Sequence, residues 1–197
     1  MAAQSTYRRC VTGPGPILRT PRLILRPWRD EDAAPFAAMG ADPEVMQHFP
    51  NTLTREQSDA TMDRIRAHFE REGFGFWAVE IPGVAPFAGF TGIGRPAFMP
   101  VVEIGWRYAR AHWGHGYATE AAIAARDWGF ANLGIDEIVA FVVPGNARSQ
   151  RVMDRLGMRR DPGADFEHPL IAPGHRLRPH WLYRLRKPAA AGAAPAT

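Results

Sequence analysis

The stretch from Val101 to Ala121 constrains this chain more than any other. It reads as a strand, Val101–Tyr108, then a short loop, then Gly114-His115-Gly116 running straight into a helix that reaches about Asn132. Glycines let a backbone approach a ligand closely. A helix N-terminus adds unpaired N–H groups and a partial positive charge, so a junction of this kind favours phosphate. The helix carries the small residues Ala118, Ala121, Ala122, Ala125 and Gly129, which allow it to lie close against a sheet. A strand at Ile138–Val143 follows. A strand–helix–strand crossover implies that the two flanking strands are parallel. Taken alone, Gly-x-Gly is equally compatible with a plain loop of two turn glycines.

The remaining elements define the frame around this unit. Leu23–Trp28 is a strand. Asp30 is read as the N-cap of a helix through Met39, and Asp42-Pro43-Glu44 as the opening of a second short helix. Thr54 followed by Gln57 fits a capping box for a helix from Arg55 to Glu72, ended by Gly73. Strands at Phe74–Ile81 and Phe87–Ile93, joined through Pro82-Gly83, read as an antiparallel pair. A helix over Asn146–Leu156 stops at Gly157, and two strands follow, near 158–166 and 180–185. The pattern predicts an α/β fold: a central mixed, mostly antiparallel sheet of six to seven strands, one parallel pair, and helices on both faces. Residues 1–20, with Gly-Pro-Gly-Pro at 13–16, read as a flexible lead-in, and 188–197 as a disordered Ala/Gly/Pro tail. One domain, 21–187, remains.

Several classes of function are excluded or disfavoured. No apolar run approaches roughly 18 residues, so no membrane-spanning helix is expected. Met1–Gly15 lacks the apolar core of a signal peptide, and a cytoplasmic location is expected. The one cysteine, Cys10, rules out an intrachain disulfide and a multi-thiolate metal site. Of 24 basic residues all but Lys187 are arginine, yet the net charge is only +4 and the arginines are spread along the chain. That argues against nucleic-acid binding, which concentrates charge in a stripe. The densest run is Arg148, Arg151, Arg155, Arg159 and Arg160.

The glycine loop lacks the Gly-Lys-Ser/Thr of a P-loop, and Thr119 stands where a dinucleotide fingerprint needs its third glycine. Asp136 precedes the next strand, the wrong place for a ribose contact. No Gly-x-Ser-x-Gly surrounds Ser5, Ser58 or Ser149. His112 and His115 are three apart, and His168, His175 and His180 cluster late, but no acidic third ligand has matching spacing, so no metal is expected.

Two segments together carry a resemblance. Trp113-Gly-His-Gly-Tyr-Ala-Thr-Glu-Ala121, with Asn146-Ala-Arg-Ser149 and Arg155-Leu-Gly-Met158, resembles the GNAT superfamily of acetyl-CoA-dependent N-acetyltransferases. The chain is most similar to the branch that holds ribosomal-protein N-terminal acetyltransferases of the RimJ/RimL type. Thr20–Pro27, Gly75–Glu80 and Gly89–Gly92 fit that branch, and the resemblance spans residues 20–186. One departure is Ala111, which stands where the superfamily's loop pattern begins with Gln or Arg; Arg110 lies beside it.

The resemblance implies that the strands 101–108 and 138–143 splay apart, with the pantetheine arm between them on the backbone of Ile104, Gly105 and Trp106. It implies a pyrophosphate held by the N–H groups of His112, Trp113, Gly114, His115, Gly116 and Tyr117, with Ala118 and Thr119 in the first helical turn. Asn146 and Ser149 would face the thioester. The implied reaction moves an acetyl group from acetyl-CoA to a primary amine, on a protein N-terminus or a small molecule, by direct attack through a tetrahedral intermediate. Such a reaction needs a neutral amine, an oxyanion donor and a proton for the departing thiolate. A strand N–H near Ile104–Gly105 is the expected oxyanion donor and Ser149 the expected proton donor. Strand alternation puts Glu103 on the face opposite Ile104 and Trp106, as either the base or a structural partner for an arginine or tyrosine. Glu120, in the first turn of the loop helix, reads as a dipole or packing partner. The acceptor pocket is expected to draw on Trp28, Phe49 and Trp77 and on the late loop 169–180. Arg148, Arg151 and Arg155 would contact the 3′-phosphate or form a solvated basic face. A homodimer is suggested by the family. A non-catalytic acyl-CoA sensor, or an arginine-rich nucleic-acid module, is the alternative.

Overall fold

A computed structural model of the chain describes residues 15–188. The lead-in segment 1–14 and the tail beyond 188 lie outside the described residues. Residues 15–20 join the sheet: Leu18–Arg19 (β1) pairs with Ile24–Arg26 (β2), and Pro16 accepts the indole N–H of Trp77 at 2.8 Å.

The helices are Ala33–Ala41 (α1), Arg55–Glu72 (α2), Tyr117–Asn132 (α3) and Ala147–Arg155 (α4). The other strands are Phe76–Ile81 (β3), Ala85–Gly94 (β4), Glu103–Tyr108 (β5), Glu137–Val142 (β6), Arg159–Arg160 (β7), Phe166–Glu167 (β8) and Pro179–Arg186 (β9). One sheet runs β1-β2-β3-β4-β5-β6-β9-β7, with β8 added on β9. Its pairings are antiparallel except β5–β6. This is the expected mixed sheet, with more strands than six or seven because β1, β7 and β8 are two residues long, too short to leave a periodic signal. The single strand expected near 158–166 is split into β7 and β8 by a 3₁₀ turn at Pro162–Ala164, since proline cannot donate to a ladder.

The capping chemistry forms where it was expected in α2: the Thr54 side chain accepts from the Gln57 amide, the Gln57 Oε1 accepts from the Thr54 amide at 2.9 Å, and Gly73 closes the helix at φ 76°. Two other expectations fail. Asp30 does not cap α1; its carboxylate pairs with Arg66 at 2.9 Å. Asp32 takes the organising role, accepting the Arg29 amide and a bidentate pair from Arg26, both residues 2% exposed. No second short helix follows Asp42. Its carboxylate accepts from the Glu44 amide at 2.8 Å and one turn forms, but Pro50 follows too soon for the cost of nucleation to be recovered.

Two apolar clusters cover the sheet. One packs α3 through Ala121, Ala122 and Ala125 onto Val79, Ile93, Ile104 and Ile138. The other packs α1 and α2 through Phe36, Met39 and Met62 onto Trp28, Ala78 and Phe87. The helices thus lie on both faces, and the short alanines bring α3 down onto β4 and β5.

Candidate functional site

β5 and β6 share a single bridge, Glu103↔Val139, with the Val139 amide donating to the Val102 carbonyl at 2.9 Å. Beyond it the strands part, and the gap opens into a cleft of about 710 Å³. Backbone groups of successive strand residues turn to opposite edges. Val102 faces β6, while the amide of Ala109 donates to the carbonyl of Ala88, in β4, at 3.0 Å. Ile104 and Trp106 therefore turn towards the gap, and Glu103, Gly105 and Arg107 towards β4. Of the two amides expected to stabilise an oxyanion, that of Gly105 is on the wrong edge. Trp106, past the last bridge, carries the backbone donor open to the gap.

One wall of the cleft is the glycine loop. Ala109–His112 makes a 3₁₀ turn, and the Trp113 indole N–H ties back to the Tyr108 carbonyl at 2.8 Å. Gly114 and Gly116 have φ of 82° and 80°, a left-handed conformation that costs a residue with a Cβ roughly 1–2 kcal/mol. Gly116 is the N-cap of α3 and offers no side chain to its first amides. The hydroxyl of Thr119 is buried there without a partner. Uncapped amides and an orphaned hydroxyl converging on one hollow are a fitting cradle for a phosphate oxygen. Glu120 does not face the hollow. It accepts from Thr20 at 2.6 Å and pairs with Arg22, fastening the start of the sheet to α3, in keeping with a packing role.

Of the residues assigned to the phosphate loop, His112, Trp113, Gly114, Gly116, Tyr117, Ala118 and Thr119 line the cleft. His115 and Arg110 do not. The His115 ring stacks on Tyr117 at 5.4 Å, and Arg110 pairs with Glu44 and Asp42 at the surface. On the opposite wall, the Asn146 side-chain Oδ1 accepts the Ser149 amide at 3.1 Å and caps α4, while both side chains border the cleft. Arg148 stacks over Trp113 at 4.2 Å, bridging the two walls, and Arg151 and Arg155 line the same rim.

The floor is built by the other face of β5. Gly94 and Gly105 leave room for the ring of Phe76, whose atoms would stand 3.2 Å from a Cβ at either glycine. Glu103 sits beside that ring, half-buried, and no described arginine or tyrosine bonds to it. Loss of hydration pushes its carboxyl from the usual 4.5 up to about 7. Phe49 lines the cleft, on a loop after α1. Trp28 and Trp77 do not line it: they are 8% and 0% exposed, Trp28 packed on Phe36 and Phe87, Trp77 on Phe69 and Trp128. Large aromatics on a sheet serve a core as readily as a pocket, and position in the chain does not tell them apart.

Two features escaped the sequence. Arg107 is on the floor. His168 and His180, read only as a possible metal cluster, meet ring to ring at 4.9 Å because β8 pairs Phe166 with His180. Both line the cleft, and burial lowers both below the usual 6.5. Among the described residues no group of three or more His, Cys, Asp or Glu could hold a metal ion, and no helix is long and apolar enough to cross a membrane.

A family model described as an acetyltransferase (GNAT) domain matches residues 22–159. The uncharacterized Bacillus subtilis protein YkkB is 34% identical over 144 residues, covering 72% of this chain and 84% of YkkB. The N-acetyltransferase YoaA of the same organism is 29% identical over 74% of this chain and 84% of its own. Among solved structures, an acetyltransferase from Agrobacterium tumefaciens superposes with a TM-score of 0.74 at 28% identity, over 91% of this chain and 99% of that one. RimJ of Mycobacterium smegmatis, in complex with CoA-disulfide, shares the fold with a TM-score of 0.66 at 24% identity, over 87% of this chain and 86% of RimJ.

Proposed function

Since the chain belongs to the GNAT acetyltransferase family, we propose that it transfers the acetyl group of acetyl-CoA to a primary amine by direct attack, and that the splayed β5–β6 cleft is where this occurs. The observation that carries the reading is the convergence, within one cleft, of an uncapped helix N-terminus, a free strand edge and a carboxyl raised to about 7. The CoA-disulfide complex of RimJ, a protein of the same fold, supports the choice of donor.

The residues divide the work. Amides from His112 to Tyr117 and the Thr119 hydroxyl hold the pyrophosphate. The edge of Ile104 and Trp106 pairs with the pantetheine amides. Trp106 N–H faces the carbonyl oxygen as negative charge develops on it; one such donor is typically worth about 3–4 kcal/mol. Glu103 removes the proton from the acceptor ammonium, directly or through one water. For an α-amine, which titrates near 8, that transfer to a group at about 7 is uphill by only about 1.4 kcal/mol. Ser149, on the first turn of α4, supplies the proton to the departing thiolate. Phe49 and the rings of Phe76 and Phe90 give the acceptor an apolar surround.

Release of free thiol on mixing the protein, acetyl-CoA and a panel of amines tests the reading. Amine-dependent release is the expected result. CoA binding without release for any peptide N-terminus, polyamine, amino sugar or amino acid would make the chain an acyl-CoA sensor instead.

A further inference from the structure

Arg107 is a half-buried cation without a counterion among the described residues. It lies two residues past Gly105 on the floor of the cleft, opposite Phe90 in β4. Its guanidinium lies over two aromatic rings, 4.0 Å from the centroid of Phe49 and 5.4 Å from that of Phe90. Its Nε is buried with no hydrogen-bond partner. No described carboxylate lies within ion-pair distance. Glu44, the acidic side chain on the neighbouring loop, is taken by Arg110. Glu103 is four strand residues away, about 13 Å along the chain at 3.3 Å per residue. Stacking on two rings compensates such a charge only in part, and an unpaired charge among apolar groups is costly unless a partner arrives.

Burial lowers the Arg107 pKa to about 10, which still leaves it charged at neutral pH. Arg107 is also on the acceptor side of β5, turned away from the loop and the helix that hold the phosphates of the donor. Other arginines at the rim, such as Arg148, stack on the donor side instead. Contact with the rings of Phe49 and Phe90 restrains the guanidinium, whose fork suits two parallel hydrogen bonds to one oxyanion.

We propose that Arg107 is an anion subsite for the acceptor: the amine substrate carries a carboxylate or a phosphate several bonds from its amino group. The inference rests on the acetyl-transfer reading of the cleft, and it narrows the acceptor to an acidic amine. The spacing sets the size. Gly105, beside the splay, and Arg107 are separated by about 7 Å of strand, which suits the reach of a dipeptide or a short amino phosphate better than that of an α-amino acid, whose two groups are adjacent.

Matched pairs of acceptors test it, differing only in the anion: glycylglycine against glycylglycinamide for carboxylate, and phosphoethanolamine against ethanolamine for phosphate. The wild type should prefer the anionic member of at least one pair by about ten- to a hundredfold in kcat/KM, chiefly through KM, as expected for a hydrogen-bonded charge. The pair that shows the preference names the oxyanion. In Arg107→Met the ratio should fall to near one. Arg107→Lys, which keeps the charge and loses the fork, should retain only a fraction of it, and serves if the methionine variant does not fold. Equal use of both members by the wild type, or an undiminished preference in both variants, overturns the proposal while leaving acetyl transfer standing. Calorimetric titration of the same four compounds, without acetyl-CoA turnover, separates the two readings. Selective binding of an anionic member that is lost in Arg107→Met, with no thiol release from any amine, would sink the transferase and keep the subsite.

Discussion

Replacing Glu103 by glutamine separates catalysis from structure, because the two roles predict opposite signs. A carboxyl whose pKa rises from 4.5 to about 7 on folding is more easily ionised in the unfolded chain. It adds nothing adverse below about pH 4.5, destabilises the fold progressively as pH rises from there to 7, and holds a constant cost above. The full displacement corresponds to roughly 3 kcal/mol. That is an upper limit, since the carboxyl opens on the cleft and water screens it. Glutamine does not titrate. Glu103→Gln should therefore melt at about the same temperature as the wild type at pH 4.5, and up to several degrees higher at pH 8. Activity should move the other way. With an α-amine acceptor, wild-type kcat/KM should rise through about pH 7, the carboxylate being about one-tenth formed at pH 6 and nine-tenths at pH 8. In the variant that limb should vanish, leaving the titration of the amine itself near 8, and the plateau should drop by about 10²–10⁴. Differential scanning fluorimetry and initial rates over pH 4.5–9 read both. A variant less stable than the wild type at pH 8, with an unaltered pH–rate profile, would show Glu103 to be a structural group and refute the argument.

Three further substitutions probe other parts of the molecule. Ser149→Ala should lower kcat about ten- to a thousandfold with acetyl-CoA affinity little changed, since a leaving-group donor acts in the transition state; steady-state kinetics decide it, and an unchanged kcat removes Ser149 from the chemistry. Gly116→Glu should abolish CoA binding by calorimetry, because a carboxylate there competes for the loop amides. At φ 80° the side chain also costs the fold roughly 1–2 kcal/mol, so circular dichroism should show a folded but less stable protein. Asp32→Asn should destabilise by about 3–5 kcal/mol in chemical denaturation, because it removes the charge of the more deeply buried of the two carboxylates that pair with the buried Arg26 guanidinium. A loss below 1 kcal/mol would mean that Glu80 and the carbonyl of Pro86 suffice for Arg26.

The parts of the site that are local in sequence were legible in it. Gly114 and Gly116, the helix they open and the Asn146 cap of α4 each depend on a few adjacent residues, and each forms as its residue types dictate. The parallel β5–β6 pair was legible too, since a crossover leaves little choice. The frame near residues 30–50 was harder. Asp30 and Asp32 have the same capping chemistry, and the buried Arg26, brought by β2, selects Asp32. Trp28, Phe49 and Trp77 look alike in a sequence, and only the sheet's packing sends Trp77 into the core and leaves Phe49 at the cleft, 38% exposed. Arg107 and the His168–His180 contact were invisible for a related reason. An arginine on a strand normally reaches water, and two histidines twelve residues apart meet only because a two-residue strand folds back on β9.

A sheet held across its middle by one bridge is, energetically, a ladder with rungs missing. Any extended ligand that pairs with the free edges of β5 and β6 acts as an inserted strand, and its binding energy becomes cohesion between the two halves of the fold. At a hundred times its dissociation constant such a ligand adds about 2.7 kcal/mol to the stability of the whole. Strand amides at the gap, Trp106 on one side and Phe141 on the other, should then be among the first to exchange their hydrogens in the free protein and among those most slowed in the complex. The substrate that is consumed in each turnover would also be, for as long as it stays, a transient member of the architecture.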